Sequence, residues 1–256
     1  MTRACPHGVL GPRTLRRRRA TALACLVLLA GCGGSGRPAA PPAATPPVRP
    51  PIRPAAVVSL VAQAIHPQVA IYARPGAARP ERSLSSPNQY GVRRVFLVKR
   101  TRPGWLDVYL PMRPNGSTGW VRRASVAVVK DPYRVQIDLR RHRITVLRRG
   151  VVVNRGRIGV GRAVTPTPSG VYYLTELFRL TDPGGPWGPY GFGLSAYSDV
   201  LHEFAGADGQ IGIHGTNDPG GIGSNVSHGC IRLANPEIAR LAHLLPLGTA
   251  VRIVRT

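Results

Sequence analysis

Apolar and polar residues alternate along residues 133–160, which is the pattern of half-buried β-strands. Val135 and Ile137 begin a series of apolar residues on one face. The alternation resumes after each of two tight turns, at residues 141–142 and 149–150. This region is therefore predicted to be a β-meander.

The rest of the C-terminal half predicts shorter elements around one long loop. Strands are expected at residues 171–177, 210–215 and 250–254, and an amphipathic helix at 236–245 with Asn235 as N-cap and Pro236 at its first position. Residues 181–209 are rich in Gly, Pro and aromatic residues. Loops of this length are usually functional or disordered. The aromatic residues favour an ordered lid over a substrate groove, at residues 181–205.

Residues 57–129 contain short strand-like segments separated by Pro- and Gly-containing turns, which favours a small β-barrel. Within them, residues 104–121 read GWLDVYLPMRPNGSTGWV and resemble bacterial SH3-like domains. This segment contains no catalytic cluster. A structural spacer and a wall-binding or docking module are both left open for it.

The N-terminus has the features of a bacterial targeting segment. Residues 1–31 carry six arginines and no acid, and an apolar stretch ends in Leu-Ala-Gly before Cys32. This resembles a lipobox, which implies cleavage before Cys32, lipidation of that cysteine, and an exported protein on the outer face of the cytoplasmic membrane, facing the cell wall. An ordinary signal peptide or signal anchor is the alternative. The Pro-rich residues 32–56 would then be a semi-rigid tether.

The charge changes this interpretation little. The chain carries +24, falling to +18 once residues 1–31 are removed, and its only lysines are Lys99 and Lys130. No nucleic-acid-recognition motif accompanies the charge, and nucleic-acid binding conflicts with export. Anionic wall polymers or lipid headgroups are the expected partners of the basic surface.

The cysteine count singles out one residue. Cys5 and Cys25 lie in the segment predicted to be removed and Cys32 would be lipidated, so Cys230 remains without a disulfide partner. A buried core cysteine is one explanation. The polar and glycine-containing neighbours of Cys230 favour a functional thiol instead.

Two histidines lie near Cys230 in the sequence. A cysteine nucleophile needs a base, and His214, at the end of a predicted strand, is the preferred candidate over His228. Backbone N–H groups of residues 228–230 form a possible oxyanion hole, and Arg232 could lower the thiol pKa or hold a substrate carboxylate. A zinc site built from the same two histidines and the cysteine is the rival, but it lacks an obvious fourth ligand.

The segment HGTNDPGGIGSNVSHGCIRL, residues 214–233, is similar to the signature of the YkuD-like L,D-transpeptidase catalytic domain, as is the upstream PTPSG. The resemblance implies Cys230 as nucleophile and His214 as base. It also implies that the Gly215 carbonyl orients His214, and that Ser227, His228 and Gly229 shape the oxyanion site while Arg232 supports the loop or the substrate. Expected substrate-binding residues are Tyr190, Tyr197, Thr216, Asn217 and Arg232. In the family an asparagine is often found two residues after this arginine. Its nearest counterpart in this chain is Asn235, three residues after Arg232.

The predicted fold is thus mainly β: an SH3-like barrel over 57–129, then a YkuD-like β-sandwich over 130–256 with one or two short helices. The resemblance implies 3→3 crosslinking of peptidoglycan stem peptides through a cysteine thioester, acylation by carbapenem β-lactams, and no cofactor or metal. An L,D-carboxypeptidase, a transferase that anchors wall proteins or exchanges D-amino acids, and a non-catalytic wall-binding lipoprotein are the alternatives.

Overall fold

The computed structural model of the chain describes residues 58–204 and 206–256. These residues group into one compact unit. The predicted signal peptide, the tether and the lipidation site at Cys32 lie outside the described residues. Among the residues described, no helix has the length and apolar character to cross a bilayer.

Residues 58–131, here called the N-terminal module, form a five-stranded antiparallel sheet and a separate hairpin. The strands are β1 (Ser59–Ala64), β2 (Gln68–Ile71), β3 (Arg82–Ser85), β4 (Val95–Arg102), β5 (Trp105–Tyr109), β6 (Thr118–Arg122) and β7 (Val126–Asp131). The sheet order is β6-β5-β4-β1-β7, and β2 pairs with β3. Sequence patterning predicts β2, β4 and β5, treats residues 119–129 as one segment where the structure has β6 and β7, and does not predict β1 or β3. The SH3-like description and the boundary at residues 129–130 stay predictions.

The C-terminal module, residues 132–256, is built on an eight-stranded sheet. Its elements are β8 (Tyr133–Asp138), β9 (Arg143–Arg148), β10 (Val151–Arg157), β11 (Val160–Gly161), β12 (Gly170–Arg179), β13 (Tyr190–Tyr197), β14 (Gln210–His214), β15 (Asn225–Ser227), β16 (Ile231–Arg232), α1 (Asn235–Leu244) and β17 (Ala250–Val254). The sheet order is β10-β9-β8-β17-β12-β13-β14-β16. A mainly β fold is therefore confirmed, with α1 as the single α-helix of the described residues.

The predicted meander corresponds to β8, β9 and β10, which pair antiparallel in chain order. Its tight turns use positive φ at His142 (46°), Arg149 (52°) and Gly150 (85°). The final strand, β17, lies between β8 and β12, parallel to the first and antiparallel to the second. The end of the chain therefore completes the centre of the sheet.

Helix α1 packs Ile238 and Leu241 into the core of the C-terminal module, as its periodicity predicts. Its start differs from the prediction, because Ala234 occupies the N-cap position and makes no side-chain capping bond. Asn235 is already helical, and its side chain serves the functional site described below. The prediction that Asn235 caps the helix is therefore wrong.

The predicted lid is also not one loop. Residues 190–197 of that segment are β13, a strand between β12 and β14 whose residues are almost all buried. What remains of the lid is a pair of loops on either side of β13, at residues 180–189 and 198–209.

The two modules share a packed interface. Val61, Val95 and Leu97 of the N-terminal module form an apolar cluster with Tyr173 and Ala250 of the C-terminal module. Further along the interface, polar contacts tie the N-terminal module to the loop that follows β13. The Arg113 guanidinium donates to backbone oxygens of residues 198, 201 and 208.

Candidate active site

Parallel pairing of β14 with β16 brings together the two residues singled out by the sequence. Ile213 lies opposite Ile231 and His214 opposite Arg232 in the register. His214 ends β14, and Cys230 immediately precedes β16. Two residues separated by a long glycine-rich loop therefore lie on adjacent strands at one edge of the sheet.

The His214 imidazole is held in one orientation. Its Nδ1 lies 2.6 Å from the Gly215 carbonyl oxygen, and because a carbonyl only accepts, Nδ1 carries the proton. Nε2 is then left with its lone pair. The side chain is buried, with its ring centroid 4.6 Å from that of Trp187. Burial lowers the pKa of His214 from 6.5 to about 4, against the opposing effect of the Gly215 hydrogen bond.

The Cys230 thiol is half-buried beside the backbone of β14. Its Sγ accepts a hydrogen bond from the Gly212 N–H at 3.4 Å. Burial raises the pKa of the thiol, and this outweighs the lowering effects of the Gly212 N–H and of Arg232. The expectation that Arg232 lowers the thiol pKa is thus correct for its own contribution and wrong for the net effect. At neutral pH the thiol and the imidazole are both uncharged.

The turn before Cys230 is fixed by hydrogen bonds between side chains and backbone. The Ser227 hydroxyl donates to the Cys230 carbonyl at 2.6 Å and accepts from the Gly229 N–H at 3.1 Å. Gly229 has a φ of +124°, and a Cβ there would lie 2.8 Å from Ile211 Cδ1. Only glycine fits this position without strain.

Thr167 supports the same turn from the PTPSG loop. Its hydroxyl donates to the Gly229 carbonyl at 2.7 Å and accepts from the Gly161 N–H at 2.9 Å. Sequence reasoning noted the loop and missed this residue. A buried threonine in a short Pro-rich loop gave no signal that distinguished it from its neighbours.

The His228 side chain contacts Phe204 and Arg162. Its ring stacks on Phe204 at 4.9 Å, and its Nε2 lies 2.6 Å from the Arg162 guanidinium. The His228 side chain therefore joins the turn to the loop that follows β13. Within the described part of the chain, no group of three or more His, Cys, Asp or Glu residues is placed to bind a metal ion.

A cleft of about 300 Å³ opens over the thiol and the imidazole. Part of its lining is the bare backbone of β13 and β14, where Gly191, Gly193 and Gly212 stand. The residues that line it also include Tyr90, Phe178, Leu180, Trp187, Phe192, Phe204 and Ile211. The cleft is thus mainly apolar and suits an uncharged stretch of a ligand.

The predicted substrate-binding residues were compared with the residues that line the cleft. Tyr190 contacts the His243 ring on α1, and Tyr197 is buried with its hydroxyl donating to the Pro111 carbonyl. Neither tyrosine lines the cleft, so the structure does not support their assignment. Asn217 is exposed on the loop after β14 and does not line the cleft either.

Thr216 is buried in the loop that carries the orienting carbonyl, and it does not line the cleft. Its N–H donates to Asn235 Oδ1 at 2.8 Å, and its hydroxyl accepts from the Asp218 N–H at 3.0 Å. Asn235 therefore holds the residue next to Gly215. The sequence resemblance left open whether Asn235 corresponds to the family's asparagine. In the structure, its side chain positions the loop that carries the Gly215 carbonyl.

Arg232 lies on β16, two residues after Cys230, and is partly exposed, with its Nη1 4.0 Å from an Asp218 carboxylate oxygen. Its Nε is buried and has no hydrogen-bond partner among the described residues. A cation at this point helps to keep His214 neutral and opposes the burial effect on Cys230. It does not line the cleft.

Comparison with known proteins gives this arrangement its family. A family model of the L,D-transpeptidase catalytic domain, YkuD, matches residues 132–253. The chain is 36% identical over 124 residues to YkuD of Bacillus subtilis, whose name places it among the L,D-transpeptidases, covering 48% of this chain and 67% of that one. YqjB of the same organism, named likewise, is 32% identical over 134 residues, covering 48% and 71%. This chain belongs to the YkuD family of L,D-transpeptidases.

Solved structures from the same class are more distant. L,D-transpeptidase 3 from Mycobacterium tuberculosis is 15% identical, with a TM-score of 0.42 and coverage of 63% of this chain and 92% of that one. An Enterococcus faecium L,D-transpeptidase is 22% identical, with a TM-score of 0.37, and the match spans 48% of this chain and half of that one. The YkuD family model covers the C-terminal module and leaves the N-terminal module outside it.

Proposed function

We propose that this chain is an active L,D-transpeptidase that forms 3→3 crosslinks between peptidoglycan stem peptides, with Cys230 as nucleophile and His214 as base. The pairing of β14 with β16 carries the proposal, because it sets a thiol and an imidazole of fixed tautomer at one apolar cleft. Acyl transfer by a thiol requires a nucleophile, a base and a group that orients the base. The Gly215 carbonyl supplies the third part.

In the first half-reaction, Sγ attacks the amide carbonyl between a diaminopimelate-type residue and the terminal D-Ala of a tetrapeptide stem. The thiol proton passes to Nε2 of His214, the C–N bond breaks, and the imidazolium gives the proton to the departing D-Ala amine. A thioester on Cys230 remains. Because thiol and imidazole are both neutral at rest, proton transfer accompanies the attack and does not precede it.

In the second half-reaction, the side-chain amine of another stem attacks the thioester carbon. His214 takes a proton from the amine and returns one to the sulfur as the C–S bond breaks, which restores the neutral pair. The apolar lining of the cleft favours this amine over water, because it limits hydration around the acyl group. Attack by water instead would release a tripeptide, which is the L,D-carboxypeptidase outcome.

The negative charge that develops on the attacked oxygen needs hydrogen-bond donors. The Gly229 N–H is engaged by the Ser227 hydroxyl. We therefore assign the oxyanion site to the backbone N–H groups of His228 and Cys230, held in place by that same serine. This narrows the predicted role of Ser227 and Gly229 to shaping the turn.

The proposed setting follows from the N-terminal sequence. Lipidation at Cys32 would hold the enzyme on the outer face of the cytoplasmic membrane, and the Pro-rich tether would let it face the wall. A half-buried thiol with a neighbouring base in an apolar cleft is also suited to acylation by carbapenems, whose strained amide presents the same carbonyl chemistry.

The test uses a soluble fragment of residues 51–256, whose described residues form one compact unit. It is incubated with a disaccharide-tetrapeptide, and products are identified by mass. A crosslinked dimer lacking one D-Ala is expected, and Cys230→Ala should abolish it. Tripeptide alone would make the enzyme a carboxypeptidase.

A second readout follows the nucleophile itself. Incubation with a carbapenem should add one drug mass to the wild-type fragment and none to Cys230→Ala. If a folded fragment with a titratable thiol gave neither products nor adduct, the non-catalytic wall-binding alternative would replace this proposal.

A further inference from the structure

The N-terminal module contributes to the cleft of the C-terminal module. Tyr90 lies on the loop between β3 and β4, and it lines the same cleft as Cys230 and His214. Its ring meets Phe178 of β12 edge-on, with centroids 5.3 Å apart and planes at 88°. Tyr90 is nevertheless 40% exposed. A large aromatic side chain therefore borders the cleft, and part of its surface remains free to contact a ligand.

The Tyr90 loop is held rigidly at this position. The Asn88 side-chain oxygen accepts from the N–H groups of Tyr90 (3.1 Å) and Val92 (3.0 Å). Its amide donates across the module interface to a carboxylate oxygen of the buried Glu176 at 2.5 Å. One asparagine therefore shapes the loop and fixes it to the C-terminal module.

Glu176 extends the connection to the strand of the catalytic base. It accepts hydrogen bonds from the Thr175 hydroxyl and from the Gln210 amide at 3.1 Å. Gln210 begins β14, which ends at His214, and it lines the cleft as well. The loop that carries Tyr90 is thus anchored to the element that positions the base.

We propose that Tyr90 is a substrate-binding residue that positions the stem peptide in the cleft, so that the N-terminal module forms part of the active site. This rests on the proposed function, because the ligand it contacts is the peptide substrate. A tyrosine ring offers apolar contact area at low conformational cost, and its hydroxyl offers a hydrogen bond to a peptide amide. Tyr90 lies outside the residues matched by the YkuD family model, so this wall of the cleft belongs to this chain's own N-terminal module.

The other large residues of the cleft support this assignment. Trp187 and Phe204 lie on the two loops that flank β13, and Trp187 also packs against the base. Tyr90 is the member of the aromatic lining that comes from the N-terminal module. It has no contact with the reacting pair among the described interactions, so its effect should fall on binding of the peptide and not on the chemical step.

The experiment measures D-Ala release by the 51–256 fragment over a range of tetrapeptide concentrations. Tyr90→Ala is expected to raise KM by about tenfold with kcat nearly unchanged, because it removes binding that the ground state and the transition state share equally. Tyr90→Phe should retain most of the apolar contact, and its KM should be close to that of the wild type. Carbapenem acylation of Cys230 should persist in both variants, which shows that the nucleophile is intact.

Val61→Ala is the matched control for loosened module packing. Val61 is buried in the apolar cluster between the modules and does not line the cleft. Its truncation should lower the unfolding temperature and leave KM unchanged. An unchanged KM in Tyr90→Ala, or an equal rise in KM in Val61→Ala, would overturn the proposal for Tyr90 while leaving the enzyme assignment intact. A folded wild-type fragment that releases no D-Ala would overturn the proposed function, and the Tyr90 proposal with it.

Discussion

Replacement of His214 by asparagine should change how stability depends on pH. The asparagine amide can donate to the Gly215 carbonyl from a position close to that of Nδ1, but it does not titrate. The variant therefore removes the protonation equilibrium while retaining the main hydrogen bond. Its stability profile, compared with that of the wild type, isolates the contribution of the buried imidazole.

The sign and size of the effect follow from the pKa. In the folded chain the pKa of His214 is lowered to about 4, against 6.5 for an unperturbed histidine. Between these pH values the unfolded state binds a proton that the folded state does not. The stabilising contribution is therefore complete above pH 6.5 and is lost as pH falls towards 4. At about 1.4 kcal/mol per pKa unit, the loss amounts to about 3 kcal/mol.

The assay is urea unfolding of the 51–256 fragment at closely spaced pH values between 7.5 and 4. Glu176 and Asp131 act in the opposite direction, because burial raises the pKa of each carboxyl and so favours the folded state as pH falls. Both variants contain these groups, so their effects cancel in the difference. Between pH 7 and 4 the wild type should lose about 3 kcal/mol more than His214→Asn.

Two results would refute the reasoning. Parallel profiles would mean that the imidazole is not held neutral by burial. A difference of the opposite sign would mean that the folded state stabilises the imidazolium, as in a resting ion pair with the thiolate. His66→Asn is the matched control for the histidine-to-asparagine change itself, since His66 is exposed and lies outside the candidate site.

Three other substitutions test the residues that hold the backbone of the candidate site in place. Ser227→Ala removes the hydroxyl that fixes the turn, and should lower kcat by about tenfold to a hundredfold in the D-Ala release assay. Gly229→Ala forces a Cβ against Ile211 at positive φ, and should cost about 2–4 kcal/mol in urea unfolding. Asn235→Ala leaves the Thr216 N–H without its acceptor and should cost about 1–3 kcal/mol, whereas Asn235→Asp keeps the acceptor and should unfold close to wild type.

The parts of the fold predicted best are those in which local pattern and tertiary role agree. Strands β8 and β9 alternate cleanly because one face of each packs on the core, and the turns that follow them have positive φ at residues 142, 149 and 150. Strand β14 was predicted for the same reason. The predicted continuation of the buried face of β8 and β9 into β10 is wrong, because the valines of that edge strand, residues 151–153, are exposed. The central place of β17 was not predictable in this way, because its parallel partner β8 lies more than a hundred residues earlier in the chain.

Strand β13 shows why the lid was assigned wrongly. Its Gly and aromatic residues suggest a loop, yet the glycines are required by the site. A Cβ on Gly193 would overlap the Glu176 carboxylate, and the bare backbone of Gly191 lines the cleft. Glycine in a strand often marks such a close approach. The signal was present in the sequence, but it becomes specific only when the neighbouring carboxylate is known.

The residues of the candidate site also differ in whether the sequence alone predicts them. Cys230 and His214 could be found from the sequence because their chemistry restricts the residue types. Thr167 and Asn235 act through side-chain hydrogen bonds to backbone groups, a role that many residues in many loops perform. Tyr90 comes from another module, so only the packing of the two modules reveals it.

The neutral resting pair links the chemistry to the expected environment. A thiolate is the form of cysteine that oxidises readily, and burial of Cys230 keeps it protonated at neutral pH. An unpaired thiol is protected in this way, but in the proposed mechanism it then needs a base at the moment of attack. His214 meets that need only because the Gly215 carbonyl fixes its tautomer and burial keeps its Nε2 unprotonated. The same exclusion of water that protects the thiol therefore requires thiol and imidazole to be oriented in advance. The Ser227 and Thr167 contacts hold the turn that carries Cys230, and the Asn235 contact holds the loop whose Gly215 carbonyl orients His214.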